Sequence, residues 1–390
     1  MSEAVAEAEA ELENSEHQVT PLELFFDLVF VFAITQVTTL LVHHPTWGGV
    51  LRGMLMLAAL WWAWTGFAWL TSTMDVDEGG VRLAMLAAMG AMLFAALAVP
   101  GAFTHDAVLF GSFFLLVRVL HVVLYAIVGR GDPDLLGAVA RLAPTVGFGS
   151  VLILLAGFSH GDTRIFIWIV ALVIDYLGPA VFGAGRGWHV APEHFAERHG
   201  LVVLIALGES IIAIGVGAGF ELVTRVIIAA ALGIVVISAL WWLYFDIAAI
   251  LARVQLTQAS GIRQAVLARD AYSYLHLPMV AGIVLFAFGL KTTLGHPTDE
   301  LDTVTAASLC GGAALYLIGL VGSLYRMTHR IFRRRTIGAV LLLALIPAAA
   351  AIPALAALGL VSAVCSAVVA YEAIRRREHR ARVRHPELAA

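Results

Sequence analysis

The chain has 390 residues, 61% of them hydrophobic and only 13% charged, with a mean hydropathy of +0.90 and a formal net charge of −4. A water-soluble domain keeps roughly a quarter of its residues charged, so this composition excludes a soluble protein and requires an integral membrane one. The two cysteines, Cys310 and Cys365, both lie in apolar runs, which leaves no disulfide framework and no paired-cysteine metal or redox motif.

Residues 1–20 are acidic and lack the basic, apolar and small-residue succession of a secretory signal, so they are expected to form a cytoplasmic tail. Beyond them, runs of about 20 apolar residues recur, the length a helix needs to cross a bilayer. They fall at 22–42, 48–71, 81–100, 106–129, 139–157, 164–183, 196–218, 225–250, 271–292, 303–326, 336–351 and 354–373. The expected fold class is all-α: a polytopic membrane protein with about 12 transmembrane helices over 21–373. Pro347 and Pro353 interrupt the last pair, which must form a tight hairpin or include a re-entrant segment. The basic segment 374–390 directly follows a hydrophobic span. That placement favours a cytoplasmic tail touching anionic lipid headgroups over one that binds nucleic acid.

Arginine placement sets the expected orientation. With the N-terminus cytoplasmic, the inner loops hold Arg130, Arg186, Arg253, Arg263, Arg330 and Arg333–Arg335, whereas the outer ones hold scattered cations such as Arg52, Arg164, Arg225 and the sole lysine, Lys291. This is a positive-inside pattern with both termini cytoplasmic, in the plasma (inner) membrane. Landmarks also recur. Glu23 opens the first span and Glu197 the seventh; "LWWAWTGF" at 60–67 is echoed by "LWWLYFD" at 240–246; Arg82 and Arg269 each sit near carboxylates. The recurrence predicts two parallel six-helix halves, about 21–190 and 191–373.

Charge inside a membrane span is costly, and its default reading is functional. Glu23 and Asp27 are four residues apart and share one helix face, where the helix dipole covers Glu23 better than Asp27. Arg118, His121 and Tyr125 form one stripe at i, i+3 and i+7, and Asp175 lies at similar depth. Arg118 and Asp175 could form a structural salt bridge. His194, Glu197 and Arg198 stand at the cytoplasmic end of the seventh span, with Glu209 about halfway across. Glu209 has no basic residue within a turn, so it must find a partner on another helix, sit in a wet cavity or carry a proton. Asp246, Arg269 and Asp270 follow near the cytoplasmic ends of later spans, where Arg198, Arg269 and Asp246 could reach headgroups. Together these groups predict a polar vestibule that opens to the cytoplasm and narrows toward Glu209, Asp175 and Arg118, with Asp27 lining water.

The segments "PLELFFDLVFVFAI", "LWWAWT", "ERHGLVVLIALGES" and "WWLYFD" followed by "ARDAYSYLHLPMVAGI" resemble the bacterial low temperature requirement A family, over about residues 20 to 370. The resemblance implies a multi-pass membrane protein of a family named for a growth defect in the cold, hence a link to stress response. Glu23, Asp27, Glu197, Glu209, Asp246, Arg269 and Asp270 fall on its signature segments. A third reading, a non-catalytic membrane sensor or assembly factor, stays open although the short loops weigh against it; two functions lead. One is a proton-coupled transporter of a small solute, with Glu23, Asp27, Arg118, His121, Asp175, Glu197, Glu209, Asp246, Arg269 and Asp270 binding solute or protons. The other is a membrane enzyme acting from the cytoplasmic side on a phosphorylated lipid or isoprenoid, the only reading that calls for Mg2+. Against the enzyme, the sequence contains no DDxxD-type cluster, HExxH or GxSxG.

Overall fold

The computed structural model describes residues 19–73, 79–182, 187–218 and 223–375. The acidic stretch 1–18, the basic stretch 376–390 and the loop arginine Arg186 lie outside them. In chain order the helices are α1 (Pro21–His43), α2 (Trp47–Thr71), α3 (Gly79–Leu97), α4 (Ala107–Val128), α5 (Pro133–Ala156), α6 (Gly161–Val181) and α7 (Pro192–Ala218). There follow α8 (Thr224–Leu243), α9 (Ala249–Thr257), α10 (Gly261–Leu267), α11 (His276–Gly295), α12 (Thr303–Thr328), α13 (Arg333–Ala344), α14 (Ile346–Ala349) and α15 (Ala354–Arg375). The π-helical turns Tyr244–Ala248 and Ala268–Tyr274 join α8 to α9 and connect α10 toward α11, so each pair reads as one long span.

Eleven stretches among the described residues are long and apolar enough to cross a bilayer. The expected span at 336–351 is not among them. It is a 12-residue helix, α13, followed by the four-residue α14. The cause is local: proline at 347 has no amide hydrogen to donate and cannot continue α13 unbroken. At about 1.5 Å per residue α13 is about 18 Å long, short of a hydrocarbon core of about 30 Å. The segment 333–349 nevertheless carries the chain back along α15. At one end Arg335 pairs with Glu372 at 2.9 Å. At the other, Glu300 and Pro353 form a bridge, and the Ala354 amide donates to the Asp299 carbonyl at 2.8 Å.

The chain forms two compact units. One comprises Met1–Ala33, Ala59–His199 and Ala259–Ala268; the other comprises Ile34–Ala58, Gly200–Gln258 and Arg269–Ala390. In the first, α3 to α6 pack as sequential neighbours through short connections. Asp132 caps α5 by accepting from the amides of Asp134 and Leu135. Arg164 does not reach for headgroups. It is buried and donates to the carbonyls of Ala156, Ser159 and Thr104, which ties the α5–α6 turn to the loop before α4. In the second unit α11 and α12 touch backbone to backbone: a Cβ on Gly282 would stand 2.5 Å from the Gly312 carbonyl oxygen. Lipid tails give apolar helices no hydrophobic reason to associate, so small residues that permit such close approach supply the packing.

Candidate functional site

Two helices, α1 and α7, carry four of the eight buried acidic and arginine side chains among the described residues. In the first unit Glu23 and Asp27, one turn apart on α1, both face the α7 residue Arg198. Its Nη1 donates to Glu23 Oε1 at 2.7 Å and to Thr71 Oγ1 at 3.0 Å, and its Nη2 donates to Asp27 Oδ1 at 2.6 Å. Trp64 of α2 donates from Nε1 to the same Asp27 oxygen at 2.8 Å. The backbone amide of Thr20 donates to Glu23 Oε2 at 2.9 Å, and His194 Nε2 lies 3.1 Å from that oxygen. The guanidinium carbon of Arg198 stands 5.7 Å from the Trp64 ring centroid.

Arg198 and Asp27 are 0% exposed and Glu23 is 1% exposed. Two expectations therefore change. Arg198 does not reach the headgroups, because two carboxylates and a threonine hydroxyl take its donors inside the protein. Asp27 does not line an open vestibule; it is enclosed by protein and held by Arg198 and Trp64. The charge count is uneven. Two carboxylates face one guanidinium, so the group is neutral only when one proton is held among Glu23, Asp27 and His194. A net charge enclosed away from water is expensive, which gives that proton a physical reason to be there.

A second pair lies in the same unit. Arg118 Nη2 donates to both Asp175 oxygens, at 2.8 and 3.1 Å, and Nη1 donates to the Trp62 carbonyl at 3.2 Å. Both partners are 2% exposed. The stripe formed by Arg118, His121 and Tyr125 faces inward as a whole. His121 rests against Gly66, where an added Cβ would come within 2.8 Å of the imidazole.

In the second unit Glu209 of α7 is buried and accepts a hydrogen bond from the Thr35 hydroxyl of α1 at 2.5 Å. The Thr38 hydroxyl of α1 is a second partner, and Lys291 acts on the carboxylate from beyond direct ion-pairing distance. Its hydrogen-bonding partners thus come from another helix and are neutral. The remaining predicted residues have other surroundings. Asp270 pairs with Arg269 at 2.7 Å and with Arg326 at 2.9 Å, and all three are partly exposed. Asp246 is half-buried on the Tyr244–Ala248 turn, and Glu197 is exposed on α7. No cluster of three or more metal-ligating side chains occurs among the described residues.

Sequence reasoning missed Thr35, Trp64, Thr71 and Arg326. Thr35 and Trp64 sit in apolar runs with nothing local to single them out. Arg326 could have been found as a cation in the last turn of its span.

The family model described as "Bacterial low temperature requirement A protein (LtrA)" matches residues 18–370. An "Uncharacterized protein RA0937" of Rhizobium meliloti (strain 1021) is 33% identical over 311 residues, which cover 76% of this chain and 75% of that protein. No solved structure matches the chain.

Proposed function

The chain belongs to the bacterial low temperature requirement A family, and from its buried carboxylates we propose that it is a proton-coupled carrier of a small solute. One observation carries the reading: Glu209 is enclosed in a membrane span with the hydroxyls of Thr35 and Thr38 as its partners, and among the described residues no cation is in direct contact with it, Lys291 acting on it only from further off. A carboxylate in that setting is tolerated as the neutral acid and becomes a charged acceptor only when water or solute reaches it. In the proposed cycle the Glu209 carboxyl releases its proton to water on one side and regains one from the other, while solute exchange alternates access.

The group around Arg198 supports the same reading by a different route, because its neutrality also requires one held proton. Arg118 and Asp175 balance each other one to one and act as a second site that solute could part. We place the protein in the cytoplasmic membrane with both termini inside, a reading supported by the arginine bias and by the return of segment 333–349 along α15. The two-half repeat remains part of the proposal. It is supported by the pairing of α1 with α7, the first helix of each half, in parallel register: Glu23 and Asp27 with Arg198, then Thr35 with Glu209.

The test is proton movement in reconstituted vesicles that enclose a pH-sensitive dye, challenged with a panel of amino acids, amines, sugars and organic acids. Wild type is expected to couple the uptake of at least one of these solutes to proton flux, and Glu209→Gln is expected to abolish the coupled flux. Coupling that persists unchanged in Glu209→Gln, or a wild type that moves neither proton nor solute, overturns the reading.

A further inference from the structure

The inward face of α4 changes character along its length. Its N-terminal half presents Phe110 and Phe114, both buried with no polar atom to satisfy. Its C-terminal half presents Arg118, His121 and Tyr125. Arg118 has Asp175 and the Trp62 carbonyl, and the His121 ring interacts with the Gly66 backbone. Arg118 Nε, a ring nitrogen of His121 and the Tyr125 hydroxyl are left buried without a hydrogen-bond partner. Thr65 Oγ1 on α2 is in the same condition, a turn beyond the Trp62 carbonyl that Arg118 engages. His121 and Tyr125 are 6% and 2% exposed.

Buried polar atoms in proteins are nearly always matched, and an atom left unmatched loses its hydration without return. Four such side chains along two turns of one helix face and its neighbour are therefore a site rather than a set of accidents. We propose that this niche is an internal hydration site, in which a short file of water molecules links Arg118 Nε to the Tyr125 hydroxyl past His121.

Three features select water as the occupant. First, charge: Asp175 matches Arg118 one to one, so the niche carries no surplus that would attract an ion. Second, hydrogen-bonding valence: a neutral imidazole has one donor and one acceptor nitrogen, and Tyr125 and Thr65 hydroxyls can each donate and accept. Water meets all of these roles and typically makes about three such bonds when buried. Third, size: the Phe67 ring lies 5.4 Å from that of His121 and the Trp188 ring 5.4 Å from that of Tyr125, so aromatic walls stand close on both sides. Gly66 contributes by omission, since a side chain there would strike the imidazole. The inference stands whether or not the chain is a carrier.

Radiolytic hydroxyl labelling of the intact purified protein tests it, because radicals formed from bound water modify the side chains beside them. Tyr316 is the control, equally buried but with its hydroxyl donated to the Leu240 carbonyl at 2.8 Å. Tyr125 is expected to be labelled several-fold faster than Tyr316, and labelling no faster than Tyr316 overturns the proposal. A second measurement uses Tyr125→Phe. Removing a hydroxyl bonded to water lowers the thermal midpoint, whereas removing one with no partner leaves it unchanged or raises it. A midpoint at or above that of wild type would likewise overturn the proposal.

Discussion

The carboxylates near Arg198 and the carboxylate of Glu209 are equally enclosed, yet they are held in opposite ways. Glu23 and Asp27 are locked by a guanidinium, an indole and backbone or hydroxyl donors. Glu209 has two hydroxyls, from Thr35 and Thr38, and feels Lys291 only from further off. The first arrangement fixes geometry strongly, because removing any partner leaves a charge with nowhere to go. The second fixes little and leaves the group able to change its proton content at small structural cost. The difference teaches that burial by itself does not mark a working residue in this chain; the identity of the partner does.

The sharpest way to break the comparison is to remove the shared cation. Arg198→Leu leaves two enclosed carboxylates facing each other, and breaking a buried ion pair from one side costs about 3–5 kcal/mol. The variant is expected to lose most of its thermal stability in detergent, or to accumulate poorly. A triple variant, Arg198→Leu with Glu23→Gln and Asp27→Asn, is expected to recover much of the loss, because the amides carry no charge to strand. If Arg198→Leu melts with wild type, the group around Arg198 does not hold the fold.

Glu209→Gln is the matched experiment on the other region, with a smaller expected effect. The amide oxygen can still accept from Thr35, so the change in stability is expected to stay within about 1 kcal/mol, the scale of one ordinary hydrogen bond. Large destabilisation would mean that Glu209 is ion-paired in the membrane after all, and the comparison would collapse. Loss of coupled flux together with an unchanged midpoint would sharpen it, separating a group that works from groups that hold.

These contrasts were only partly legible beforehand. Hydropathy placed the spans, because a membrane helix must be apolar along its whole length, and Pro347 marked the one segment that falls short. The 3.6-residue period put Arg118, His121 and Tyr125 on one face, and the structure buries all three. Partner identity was not readable. Arg198 meets Glu23 and Asp27 across more than 170 positions of sequence. Whether an arginine at a helix end turns inward or toward the headgroups depends on the rotation of that helix against its neighbours, which no local spacing encodes. The enclosure of Asp27 was hidden for the same reason: spacing located the charges but not the protein groups that close around them.

Glu197 supplies the smallest effect and the cleanest control. It lies one residue before Arg198 in the second turn of α7 and carries the same charge as Glu23, which lies in the first turn of α1. Successive helical residues point about 100° apart, so the rotation that buries Arg198 turns Glu197 outward, where it is exposed. An exposed carboxylate keeps its solvation, and replacing it by a neutral amide costs little. Glu197→Gln is therefore expected to leave both the melting midpoint and any proton flux indistinguishable from wild type. If this substitution alone impaired flux, the working carboxylate would lie on the outward face of α7, and the enclosed pairing of α1 with α7 would be scaffold.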